Sequence, residues 1–187
     1  MILPTVLDAD GKGYDLYSRL LKDRVIIIGT DFNDTMSPIV VAQLLYLQSE
    51  NPKEDINIYI NSGGGSVTAG LAIYDTIKML SCDVNTYCMG MCASMATVIL
   101  SAGTKGKRHI LPNAHTMVHQ VSGGAGGTAS DVERTVEFMF SLKSRLNNIL
   151  AENCDQDVEF IEKHCDRDHY MTAQESVDFG LVDTVIE

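Results

Sequence analysis

The 187-residue chain is 45% hydrophobic and 21% charged, enough apolar mass for one ordinary core and too apolar for a disordered chain. With 14 Lys and Arg against 25 Asp and Glu the net charge is −11, which repels a phosphate backbone or an anionic lipid surface, so neither nucleic acid nor membrane is an expected partner. No apolar run approaches the roughly 20 residues that span a bilayer, and the first residues lack the basic start of a secretory signal, so a cytoplasmic protein is expected.

Taken in chain order, residues 25–28 form a β-branched run that reads as a strand. Ser37 and Pro38 read as the N-cap and first-turn proline of a helix to Glu50, stopped by Asn51 and Pro52. A second strand is expected over 56–60, followed by a tight turn through Gly63, Gly64 and Gly65, a helix to about Leu80, and a third strand over 84–87. Residues 94–102 are apolar on nearly every face, which predicts a buried helix beginning at Ser94 and stopped by Gly103. Strands at 107–111 and 116–119, separated by Pro112 and Asn113, are expected to form a hairpin-like extension. Ser130 and Glu133 form an apparent capping box for the longest helix, whose apolar residues Val132, Val136, Met139, Leu146 and Ile149 keep helical spacing. A second box, Thr172 with Glu175, starts a short helix that Gly180 ends. Repeated strand–helix units without an internal repeat or linker predict a single α/β domain with a helical arm.

Ser94 follows a strand and opens a buried helix, where unpaired backbone N–H groups favour a developing oxyanion; it also reads as a plain N-cap. His119 ends an apparent strand and has the near-neutral pKa that a serine's general base needs, or it is a half-buried histidine bonded to backbone. A carboxylate to orient that imidazole is available in the segment Cys165, Asp166, Arg167, Asp168, His169, where an acid could equally pair with Arg167. The turn at Gly63–Gly65 lacks both the dinucleotide glycine order and the Walker lysine, so it suits oxyanion binding better than phosphate, or is simply a tight turn. Cys88 with Cys92, His115 with His119 and Cys165 with His169 are each four apart, a spacing that matches no common zinc motif, so no metal is expected. The five cysteines, an odd and irregularly spaced set, are expected as reduced thiols, Cys92 with a possible sensitivity to thiol reagents through its place near Ser94.

These residues occur in a longer pattern. Tyr17 to Arg24, Tyr59 to Ser62 with Gly64, Gly65 and Ser66, Ala93 to Met95, Lys105 to Arg108, Met117 to Gln120, Asp166 to Asp168 and Gly180 to Asp183 resemble, in order and over nearly the whole chain, the ClpP family of proteolytic subunits. The resemblance implies an α/β, crotonase-like spiral of βαβ units with a protruding strand–helix handle at about 112–152 and an axial segment at 1–16. It implies Ser94 as nucleophile, His119 as base and Asp168 as orienting acid, with the Gly65 and Met95 amides as oxyanion hole. Gln120, Val121, Ser122, Gly123 and Gly124 would bind substrate, Asp166 and Arg167 would join rings, and Tyr59, Tyr87, Met89 and Leu111 would dock an ATPase. The implied activity is serine peptidase cleavage of unfolded polypeptides without a cofactor. The implied assembly is two stacked seven-membered rings, homomeric or mixed with a paralogue, served by a hexameric ClpX- or ClpC/ClpA-like ATPase; the alternative is an assembly or regulatory subunit of low activity. A crotonase-type acyl-CoA enzyme is a more distant alternative. Gly63 and Ser122 stand where the family has proline, Gly126 and Gly127 where it has glutamines, and Asn57 where an aromatic is usual.

Overall fold

A computed structural model describes residues 4–9 and 11–186. Strands β1 (Thr5–Leu7) and β2 (Gly13–Asp15) pair antiparallel in the region expected as an axial segment, and lead into helix α1 (Leu16–Lys22); residues 1–3 and 10 of that region lie outside the described residues. The body is a sheet whose first strands are β3 (Val25–Ile28), β4 (Ile56–Ser62) and β5 (Val84–Ala93), all parallel, with helices α2 (Met36–Glu50) and α3 (Val67–Met79) as crossovers. β4 shows why: Ile56, Ile58 and Ile60 alternate with polar or aromatic residues, and all three are fully buried. Each such isoleucine contributes about 1.5–3 kcal/mol of burial. An aspartate at Ile58 would strand a charge in that core.

Ser37 is not an N-cap. It lies inside α2, buried, its Oγ donating to the Ala69 carbonyl at 2.6 Å, while Asn33 Oδ1 accepts the amides of Thr35 and Met36. Arg24, at φ 62°, pins the C-terminal end of α2 by donating to the carbonyls of Leu47, Asn51, Glu54 and Asp55.

β5 runs six residues beyond the third expected strand. Its two halves serve different partners: Thr86, Tyr87 and Cys88 pair with β6 (Arg108–Ile110), whereas Met91, Cys92 and Ala93 pair with β7 (His115–Val118). The expected β6–β7 hairpin therefore does not form; both strands run parallel to β5, offset along it. The offset arises at a bulge where Ile60 and Ser62 of β4 match Cys88 and Cys92, with Gly90 at φ 67° and Asn61 Oδ1 accepting the Met91 amide. After β5, the buried helix α4 (Met95–Ser101) packs against α3, where Gly70 leaves space for the Met95 side chain.

Helix α5 (Ala129–Cys154) is 26 residues, about 39 Å, and buries side chains only toward its C-terminal end. Phe138 and Phe140 stand exposed on its projecting half. Its capping box is Thr128 with Asp131, two residues before the expected one. The segment 119–126 that precedes it belongs to no strand, so where a strand–helix handle is expected the chain has a helix preceded by an unpaired arm. Helix α6 (Val158–Cys165), strand β8 (His169–Met171), helix α7 (Ala173–Phe179) and strand β9 (Thr184–Val185) complete the chain; β8 runs antiparallel to β7, and β9 is parallel to β6. The Thr172–Glu175 box and the Gly180 stop at φ 91° stand as expected.

Candidate active site

Ser94 sits at the junction of β5 and α4 with φ 55° and ψ −123°, backbone angles that an L residue adopts only under constraint. The constraint is visible. The Ser94 amide donates to the Met117 carbonyl on β7, Thr97 Oγ1 lies 2.8 Å from both the Cys92 and Met117 carbonyls, and Gly64 presses on the turn from the other side. This is a sharp strand-to-helix turn that thrusts the hydroxyl outward. Its Oγ makes no capping bond to α4, which removes the plain N-cap reading.

The Ser94 hydroxyl instead lies 2.9 Å from Nε2 of His119, and Nδ1 of His119 lies 3.1 Å from Oδ1 of Asp168. β7 delivers the histidine beside the serine because it pairs with the end of β5; β8, paired with β7, brings the acid, one residue before its start. With Nδ1–H donating to the carboxylate, Nε2 is free to accept the serine proton. His119 is half-buried and Asp168 more than half exposed, so the acid is the more open to solvent of the two.

The Gly65 amide makes no hydrogen bond among the described residues, and the Met95 amide, first in α4, has no intrahelical acceptor. A Cβ on Gly64 would come within 3.1 Å of the Met95 nitrogen, so the glycine turn and the helix start are in contact. Gly65, Ser94, Met95 and His119 share one cleft of about 540 Å³, including its open mouth. Its walls are Val67, Val98 and Val118, the backbone-rich segment Gln120, Val121 and Ser122, and a face of α5 carrying Lys143, Leu146, Asn147 and Leu150. A hydroxyl bonded to an imidazole, with unpaired amides beside it in a cleft of mixed polar and apolar lining, can carry out acyl transfer through a covalent intermediate.

The other expected residues fall elsewhere. Gly123 and Gly124 are exposed and continue the arm beyond the cleft. The Gln120 side chain points to the α6–β8 turn, donating to the Asp166 carbonyl at 2.9 Å. Asp166 and Arg167 lie there exposed, their charged groups 4.0 Å apart. Tyr59 and Tyr87 stack at 4.4 Å on the outer sheet face, with His109 stacked on Tyr87 and the Tyr87 hydroxyl 3.3 Å from Asn57 Oδ1. Met89 is half-buried on the same strand, and Leu111, exposed, donates its amide to the Cys88 carbonyl. Sequence reasoning missed Thr97 and the α5 lining; Asn147, a polar residue flanked by the apolar stripe of α5, was the available signal.

All five cysteines are buried. Burial raises the Cys92 thiol well above its ordinary pKa, with Cys88 beside it adding to the effect, so this thiol is inert and the expected reagent sensitivity has no physical basis. Among the described residues no three His, Cys, Asp or Glu side chains gather as a metal site, and no helix is long and apolar enough to cross a membrane.

The family model described as Clp protease matches residues 8–187. Relatives named ATP-dependent Clp protease proteolytic subunit 2, from Chlamydia pneumoniae and from Chlamydia trachomatis serovars D and A, are each 51% identical over 188 aligned positions, covering 99% of this chain and 93% of the relative.

Proposed function

Since the chain belongs to the Clp protease family and is a serine peptidase, we propose that Ser94, His119 and Asp168 are its catalytic triad and that it is a proteolytic subunit cleaving unfolded polypeptides. The observation that carries this reading is the continuous relay from the strained Ser94 through His119 to Asp168. Ser94 Oγ attacks the peptide carbonyl as its proton passes to His119 Nε2. The tetrahedral oxyanion is held by the Gly65 and Met95 amides. The C–N bond breaks with that proton delivered to the leaving amine, and water, deprotonated by His119, then attacks the acyl ester to release a carboxylate and restore Ser94. Asp168 keeps the imidazole in the competent tautomer and stabilises the imidazolium.

The segment 120–124 lines or adjoins the cleft without a strand partner, so a substrate backbone can pair along it with little demand on side chains. Asp166 and Arg167, both exposed with their charged groups 4.0 Å apart, suit a contact between stacked seven-membered rings. The stacked Tyr59 and Tyr87 with Met89 and Leu111 suit a hexameric Clp ATPase, and Asn57 gives that surface a polar edge. A second reading, a paralogous subunit that is weakly active alone, is favoured by the name subunit 2 of its relatives and by the glycines at Gly126 and Gly127 in the handle arm. Steady-state cleavage of a short fluorogenic peptide by the pure protein tests both. Turnover that disappears in Ser94→Ala supports the peptidase; turnover that appears only on adding a paralogue supports the second reading.

A further inference from the structure

Thr97 is fully buried in the first turn of α4, where a valine would pack as well and no hydroxyl would have to leave water. The hydroxyl therefore calls for a use. Thr76 and Thr135, also helical, donate to the carbonyl four residues earlier in their own helix, which is the ordinary choice. Thr97 has no such helical carbonyl, because α4 starts at Met95, and its Oγ1 lies 2.8 Å from both the Cys92 carbonyl on β5 and the Met117 carbonyl on β7. A hydroxyl carries one proton, so a single donor is shared between two strands.

Those two carbonyls are placed alike. Cys92 stands two residues before Ser94, and Met117 two residues before His119. The pairing of β5 with β7 ends at Ala93 and Met117, so Ser94 and His119 both lie beyond its last rung, joined there by the Ser94 amide on the Met117 carbonyl and by their own 2.9 Å side-chain contact. Resting on the peptidase reading above, we propose that Thr97 is a positioning residue that sets the distance between the Ser94 hydroxyl and the His119 imidazole, by tying α4 to the two strand ends that carry them. Thr97 touches neither substrate nor a reacting atom. Proton transfer from Ser94 Oγ to His119 Nε2 depends steeply on their separation, whereas substrate binding depends on the cleft walls. Loss of the shared hydroxyl accordingly falls on kcat and spares KM.

The experiment measures kcat and KM for a short fluorogenic peptide, and the rate of fluorophosphonate labelling, in the wild type, Thr97→Val, Thr97→Ser and Thr86→Val, with circular dichroism to check folding. Thr97→Val keeps the shape and removes the donor; Thr97→Ser keeps the donor and removes the methyl. Thr86→Val controls for lost stability, because Thr86 is equally buried on β5 and donates to the Leu100 carbonyl at 2.7 Å, at the end of α4 remote from Ser94. In Thr97→Val, kcat and labelling are expected to fall about tenfold with KM within about twofold of wild type, while Thr97→Ser and Thr86→Val keep kcat within about threefold. A Thr97→Val enzyme with wild-type kcat overturns the assignment. Thr97→Ser as slow as Thr97→Val assigns the effect to the methyl group and overturns it, as does Thr86→Val as slow as Thr97→Val, which makes the loss a general loosening. A rise in KM in place of the fall in kcat moves the effect to the cleft and is equally contrary. Thr97→Ala takes the place of Thr97→Val should the latter not fold; if neither folds, the hydroxyl serves the fold and not the alignment, which also overturns the proposal. A wild type that cleaves no peptide and takes up no fluorophosphonate removes the peptidase reading itself, a result distinct from variants that match an active wild type.

Discussion

A Cβ on Gly64 would stand 2.6 Å from the Cβ of Ser94, so the glycine turn and the serine turn are in direct contact. Gly64 also holds φ 102°, which disfavours any side chain. Gly64→Ala is expected to push Ser94 off its line to His119 while leaving the sheet intact. A displacement of about 1 Å costs about 10²-fold in rate. Peptide kcat/KM alongside circular dichroism checks this; activity within threefold of wild type would show that the contact is slack.

Asp168→Asn retains the shape of the acid but no longer enforces Nδ1–H on His119. The Asp168 side chain is 56% exposed, so water replaces part of its orienting effect. kcat is expected to fall about 10²- to 10³-fold with KM little changed.

Asp183 anchors the C-terminal segment to Arg108, whose Nη2 and Nε lie 2.6 and 3.0 Å from its two carboxylate oxygens. Burial alone raises the Asp183 pKa, but the bonds from Arg108 and from the Gly106 amide outweigh it and leave the carboxyl below its ordinary value. A carboxyl depressed in the folded state stabilises above its unfolded pKa of about 3.9 and loses that contribution as pH falls through the folded value. Asp183→Asn is therefore expected to cost about 3 kcal/mol at neutral pH. The gap from wild type should stay constant from pH 7 to about 4.5 and narrow below about 3.9. Urea unfolding across that range measures it, and a gap that widens in acid would contradict the assignment.

Burial brings the Cys154 thiol to about 12 and the Cys165 thiol to about 11, and raises Cys92 well above the ordinary value. Iodoacetamide at pH 8 should leave the native protein unmodified and fully active, with all five thiols alkylated only after denaturation. Rapid native alkylation at Cys92 with loss of turnover would contradict this.

Gly63 lies outside the positive-φ region, and a Cβ there meets nothing closer than Asp31 Oδ1 at 3.8 Å. Gly63→Ala is expected to stabilise by about 0.4–1 kcal/mol through the unfolded state, a rise of about 1–3 °C in Tm, with turnover unchanged.

What the chain declares locally is what was legible in it. The Thr172–Glu175 box and Gly180 make their bonds within one helix, and they stand where the spacing puts them. The long helix starts two residues before the position its spacing predicts, because its N3 acid is Asp131 and not Glu133. The missed half of β5 and the wrong hairpin share one cause: Met89, Gly90 and Met91 form a bulge that breaks alternation, and β7 then takes a partner that its neighbours in sequence do not indicate. Ser94 and His119 are 25 residues apart, His119 and Asp168 a further 49, and their meeting depends on that pairing of β5, β7 and β8. Local chemistry therefore identified three suitable residues without joining them; family resemblance supplied the connection.

Intact mass after treatment with a fluorophosphonate, taken over a range of protein concentrations, tests the activated serine most directly. One adduct on the wild type, none on Ser94→Ala and slow labelling of Asp168→Asn are the expected results. Equal labelling of wild type and Ser94→Ala, or no adduct on wild type at any concentration, would contradict the proposed Ser94–His119–Asp168 triad in this protein.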